Sequence, residues 1–155
     1  MSKKNEIKQN IFKILHYLLE SLIGGCTRMN EIRKYYGFNA GKLWETLNEE
    51  GPQVQTKLMK ITDFREEEFY PAVGWLAREN KIFKEKRTYK LGETNLTDKI
   101  GLNAGKIWTV LDKCSEFDVP TISRLAGIEK KDCLSALGWL ACEGKITAKI
   151  KVRKK

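Results

Sequence analysis

Apolar positions along the chain fall into blocks of helical spacing separated by turn residues. In residues 6–23, EIKQNIFKILHYLLESLI, one face collects Ile7, Ile11, Ile14, Leu15, Leu18 and Leu22. Phe12, Leu19 and Ile23 widen that face, and Gly24 and Gly25 end the block, which predicts an amphipathic helix. A second helix is predicted over about 29–36, with Met29, Ile32 and Tyr36 inward and Arg28, Arg33 and Lys34 outward. A third spans about 40–50: Asn39 stands where an N-cap belongs, and Leu43, Trp44 and Leu47 form the apolar stripe with the tryptophan as buried anchor. A short helix follows at 55–61. The next helix starts near 64–67, where Asp63 and Glu66 resemble a capping box, and buries Phe69, Ala72, Val73 and Leu76 before a stop at Asn80. IFKEKRTYKL then reads as a β-hairpin tipped by Lys86 and Arg87.

The pattern then repeats. Residues 37–91 lie on 101–155 at an offset of 64 with no gap, so that FNAGKLW (38–44) meets LNAGKIW (102–108) and AVGWLARENKI (72–82) meets ALGWLACEGKI (136–146). Two copies at this spacing predict tandem domains rather than a solenoid. In copy two Asn103 takes the cap position, and Ile107, Trp108 and Leu111 form the stripe of a helix over about 104–114. Pro120 opens a short helix to 126. A third helix from 129 buries Cys133, Ala136, Leu137 and Leu140 and stops at Gly144. KITAKIKVRKK alternates strictly, with Ile146, Ala148, Ile150 and Val152 on one face; it reads as a half-buried strand, either a shortened hairpin or one longer strand.

Helix, short helix, helix and a strand pair with a basic tip is the order of a winged helix-turn-helix. The paired motifs NAGK-[LI]-W and A-[VL]-GWLA-x-E-x-KI resemble a family of small prokaryotic winged-helix proteins, over residues 37–91 and 101–155. The resemblance implies the fold; the tandem arrangement and residues 1–36 depart from that family's usual single unit. The expected architecture is therefore mainly α with small β wings: an N-terminal helical segment (1–36), a first winged-helix domain (37–96) and a second (97–155). A rival parse makes 29–36 and 40–50 the helix-turn-helix itself, but copy two then has no equivalent of 29–36.

Composition narrows the function. The chain of 155 residues carries a formal net charge of +9. The first 36 residues hold 7 basic and 3 acidic side chains, residues 37–100 hold 11 of each, and residues 101–155 hold 11 and 6. Excess positive charge favours polyanions, of which nucleic acid is the commonest in a cell. Four cysteines at 26, 114, 133 and 142 form no Cys-x-x-Cys, and His16 is the lone histidine, so neither a zinc site nor a serine, cysteine or histidine nucleophile with its base is expected. The expectation is a non-enzymatic protein without cofactor or metal, its cysteines buried free thiols. The longest apolar stretch, 11–23, is interrupted by Lys13, His16 and Glu20 and is too short for a membrane span; MSKKNEIKQN leads into no signal-peptide cleavage pattern, and the cytoplasm is the expected compartment.

A winged helix ordinarily reads bases with its third helix and holds phosphate with its wing. Copy one offers a poor reading head. Its third helix opens Arg65, Glu66, Glu67, Glu68, and its outward stripe runs Glu67, Pro71, Gly74, Arg78. Its wing still presents Lys84, Lys86, Arg87 and Lys90. Copy two offers Arg124, Lys130, Lys131 and Ser135, then Lys149, Lys151 and Arg153 in the tail, but its outward stripe of Lys131, Ser135, Gly138 and Cys142 has no Asn, Gln or Arg for a bidentate base contact. The leading expectation is a DNA-binding, regulatory protein of weak sequence specificity, making mainly phosphate contacts with duplex DNA. The alternative is a tandem winged-helix scaffold for protein partners, favoured by the flat Pro71/Gly74 face and by the N-terminal helix, whose Phe12, Leu15, Leu18, Leu19 and Leu22 could pair with a second chain as well as pack within this one.

Overall fold

The computed structural model describes residues 31–113 and 118–146, which fall in one unit beginning at Glu31. Copy one runs α1 (Glu31–Glu50), β1 (Gln53–Val54), α2 (Gln55–Thr62), α3 (Glu66–Arg78), β2 (Ile82–Glu85) and β3 (Thr88–Leu91). Copy two runs α4 (Thr97–Lys113), α5 (Val119–Ala126) and α6 (Lys130–Cys142). The N-terminal helix expected at 6–23, with Phe12, Leu15, Leu18, Leu19 and Leu22, lies outside the described residues, as does the strand from Thr147 onward.

Local chemistry sets the boundaries after each first helix. The turn between α2 and α3 places Asp63 in the left-handed region (φ 57°), and the equivalent turn in copy two places Gly127 there (φ 65°). Asn80 (φ 59°) and Gly144 (φ 69°) end the third helices as their residue types predict. Asp118 caps α5, its Oδ1 accepting from the Thr121 N–H at 2.9 Å, with Pro120 in the first turn. The cap of α3 differs from the Asp63/Glu66 expectation: the N-cap is Arg65, and its N–H donates to Glu68 Oε2 at 2.8 Å.

The first helices correct the sequence reading in two ways. Each is continuous across the positions read as a cap: Asn39 lies inside α1, and Asn103 inside α4. A small-residue segment read as a helix start is instead a contact surface. A Cβ at Gly37 would come within 3.1 Å of the Trp75 ring, and one at Gly101 within 3.7 Å of the Trp139 ring. Glycine at 37 lets the Trp75 indole lie close against the first helix, whereas at 101 a Cβ would make an ordinary contact with Trp139. The second correction concerns the anchor. Ala40, Leu43 and Leu47 are buried, while Trp44 is 37% exposed; Ile107 is buried, while Trp108 is 44% exposed. Leu43 and Leu47 sit one turn apart on the core side, and Trp44, about 100° further round the helix than Leu43, is turned out of it.

In copy one the sheet has the order β1-β3-β2, all antiparallel. The hairpin predicted from IFKEKRTYKL forms with Glu85 opposite Thr88, leaving Lys86 and Arg87 as a two-residue tip. Its inner face supplies Ile82 and Tyr89 to a core with Leu43, Leu58, Phe69 and Leu76. Fully burying an aliphatic or aromatic side chain of this size contributes about 1.5–3 kcal/mol.

The two copies are interlocked. Ile32 and Tyr36 of α1 pack into the core of copy two, with Ile107 and Cys133, while Ile100 of α4 packs into the core of copy one. Tyr36 and Ile100 are equivalent at the 64-residue offset, so the exchange is reciprocal. Trp75 and Trp139, also equivalent, each pack against both cores. The α1 helix thus crosses the boundary drawn at 36/37.

Candidate nucleic-acid interface

Interlocking decides what the third helices can do. A Cβ added at Gly74 would overlap the Ser135 carbonyl, and one at Gly138 would overlap the Pro71 carbonyl. Pro71 is equivalent to Ser135, and Gly74 to Gly138, so the two contacts are one contact seen twice about a pseudo-twofold axis. Pro71, Gly74, Ser135 and Gly138 are all buried. The outward stripes of α3 and α6 are therefore spent on each other. This corrects two expectations. Ser135 is not at an open surface: it is 7% exposed, and its Oγ donates to the Lys131 carbonyl at 3.1 Å. The flat Pro71/Gly74 face is likewise not free for a protein partner.

Charge borders the contact at both ends. Lys130 Nζ donates to Glu67 Oε1 at 2.8 Å, and Arg78 Nε donates to Glu143 Oε1 at 2.8 Å. Arg78 also lies over the Trp139 ring, 5.5 Å from its centroid, and the Trp139 indole N–H donates to Glu143 Oε1 at 3.2 Å. The Lys130 hydrogen bond holds the Glu67 carboxyl below the usual carboxylate range. Burial alone would raise Glu143, but hydrogen bonds from Lys145 and Arg78 outweigh it and hold that carboxyl low as well. A matched polar bridge ties first to third helix in each copy: Tyr35 donates to Glu68 Oε1 at 3.0 Å, and Lys99 pairs with Asp132 at 3.1 Å. Burial and then Glu68 push the Tyr35 phenol up to about 12.

The remaining predicted cations separate by their surroundings. Lys84 Nζ lies 5.3 Å from the Tyr89 ring centroid; Lys90 Nζ lies 4.8 Å from that of Phe83 and pairs with Glu85 at 3.4 Å. Lys86 and Arg87 stand exposed at the wing tip, with no ion pair among the described residues. Arg124 is exposed in the last turn of α5. Lys130 pairs with Glu67, and Lys131 with Glu129 at 3.0 Å. Lys149, Lys151 and Arg153 lie outside the described residues.

One residue that holds the wing was not foreseen. Asn95, between the copies, accepts from the Lys84 N–H at 3.0 Å and donates to the Lys84 carbonyl at 2.7 Å. Its amide thus occupies backbone groups of the edge strand β2, as a further strand would. Asn80 accepts from the Thr94 N–H at 2.8 Å and fixes the same segment. The signal in the sequence was slight: two asparagines flanking a hairpin.

No helix among the described residues is long and apolar enough to cross a membrane, and no group of His, Cys, Asp or Glu among them is placed to hold a metal ion. Cys133 is buried and Cys142 half-buried, both as free thiols; Cys26 and Cys114 lie outside the described residues. Burial pushes the Cys133 thiol up.

A helix, a short helix and a third helix, in tandem, with a basic hairpin following the third helix of copy one, define a winged helix-turn-helix protein. The chain belongs to the family described as winged helix-turn-helix domain (DUF2582), whose model matches residues 29–92 and again 96–154. No curated protein and no solved structure matches it. The first match begins upstream of Gly37, in keeping with the continuous α1.

Proposed function

We propose that this chain is a non-enzymatic, DNA-binding regulatory protein that holds duplex DNA by its phosphates with weak sequence specificity. The observation that carries this reading is the wing tip. Lys86 has φ 53°, a conformation that costs a non-glycine residue roughly 1 kcal/mol. Glycine would relieve that strain, and lysine there brings charge instead, with Arg87 beside it and the edge behind it fixed by Asn95. Arg124, Lys131 and the tail cations Lys149, Lys151 and Arg153 add to the field from copy two. Weak specificity follows from the mutual burial of the third-helix stripes, which leaves them no route to base edges.

The test is a gel shift on random duplex across a salt series. The expected affinity falls by about 0.9 log unit per log unit of salt for each phosphate neutralised. Lys86→Glu with Arg87→Glu should weaken binding on every sequence and flatten that slope by roughly 2. No retardation at low salt, or an unchanged slope in the variant, would refute the reading.

A further inference from the structure

Four tryptophans divide into two pairs. Trp75 and Trp139 are packed between the cores; Trp44 and Trp108 stand partly exposed on the first helices. A large aromatic side chain thus stands partly exposed at the same helical position in both copies.

The surroundings distinguish the two. Trp44 is followed on its helix by Glu45 and Glu49; the equivalent positions after Trp108 are Thr109 and Lys113, with the carboxylate Asp112 one turn on. Lys145 Nζ lies 5.7 Å from the Trp108 ring centroid and pairs with Glu143 Oε2 at 3.0 Å, so a ligand phosphate would share it with that carboxylate. A helical side chain leans back over the preceding turn. For Trp108 that turn holds Gly105 and for Trp44 it holds Gly41, where an added Cβ would in both cases meet nothing within 4 Å, so this feature is shared and the charges alone differ. An indole 44% exposed, with a cation on its ring and bare helix beside it, suits a flat, anionic ligand.

We propose that Trp108 is a stacking platform for an unpaired base of single-stranded nucleic acid, with Lys145 attracting the adjoining phosphate. Every base offers a π-face to such a platform, so binding tolerates sequence. A duplex keeps its bases stacked on each other and cannot use it. The site is therefore separate from the phosphate contacts proposed for the wing, and it stands or falls independently of them.

The experiment is fluorescence anisotropy with the full chain at one low salt concentration, using labelled 15-mer oligothymidylate and a labelled 15-base-pair random duplex. Trp108→Ala should lose about 5- to 150-fold in affinity for the single strand, the range expected for one stacked base, and keep its duplex affinity. Trp108→Phe should retain most of the single-strand affinity, because a smaller ring still stacks, and Trp44→Ala should match the unmodified protein. Circular dichroism shows whether each variant is folded. Unchanged single-strand binding by Trp108→Ala, equal loss on single strand and duplex, or no single-strand binding by the unmodified protein would each overturn the platform. So would displacement of the oligonucleotide by polyglutamate in a Trp108-dependent manner, which would make the site one for acidic peptide. Failure of the duplex reading looks different: the unmodified protein would then bind no duplex, whatever Trp108 does.

Discussion

Copy one and copy two share a skeleton and differ where they meet. At the centre of their contact the residues are alike: glycine at 74 and at 138, each accepting the other helix's backbone. At the border they are opposed. The first turn of α3 carries Glu66, Glu67 and Glu68; that of α6 carries Lys130, Lys131 and Asp132. Had the copies stayed identical, the twofold relation would set like charge against like. The first turns instead meet in the Glu67–Lys130 pair, and the Arg78–Glu143 pair closes the other end. The glycines provide the close approach, and the charges favour copy one against copy two over either copy against its own kind.

The sharpest way to break the comparison is at its centre. Gly74→Val places a branched side chain against the Ser135 backbone, and the helices must part. Urea denaturation should show a loss of about 4 kcal/mol, above the usual range for overpacking because backbone, not a side chain, is in the way. Next comes the contrast within α1: Leu43→Ala, at a fully buried site, should cost about 3 kcal/mol, whereas Trp44→Ala one residue on should cost under about 1 kcal/mol. Gly41→Ala should reverse the sign. Its Cβ meets open space in a helix interior, and a stabilisation of about 1 kcal/mol is expected.

The charged border gives the smallest effects. Lys130→Glu should lower the melting temperature slightly at low salt, and the exchange Glu67→Lys with Lys130→Glu should restore it, a double-mutant cycle that fades as salt is added. Acid should act on the same border. Glu67 and Glu143 have folded-state pKa values below their ordinary ones. Their contribution is therefore fully present above the unfolded value of about 4.3 and is lost as pH falls through the folded values. Arg78→Met should shrink the part of the acid transition that Glu143 supplies, measured as a smaller difference in urea midpoint between pH 6 and pH 3.

Much of this was legible in the sequence. Hydrophobic period and turn residues located α2, α3, α5, α6 and the hairpin, because each depends on local chemistry: Pro120, Asn80, Gly144, and alternation through Ile82 and Tyr89. The first helices were misread because Gly37, Asn39 and Gly41 look like a helix start. Gly37 serves Trp75, a partner 38 residues away, and no local pattern reports a distant indole. Trp44 and Trp108 were misread for a related reason: hydrophobicity suggested burial, although Leu43 and Ile107 beside them already filled the core side. The sequence showed a poor reading head on α3 and an outward stripe on α6 without Asn, Gln or Arg. Why they are short appears only when Gly74 meets Ser135 and Gly138 meets Pro71, since a repeat that packs on its own copy presents no complementary pattern to read. β1 was too short to register, and the Asn95 bracket lies in a segment without period.

The outward faces of the two third helices form one buried contact, so that the copies stand as a single body. Amide hydrogen exchange across residues 135–141, in the unmodified chain and in Gly74→Val, tests it most directly. Exchange there should be slow in the unmodified chain, with protection in copy two lost when the lesion is made in copy one. Protection of residues 135–141 that is the same with and without the lesion would contradict it.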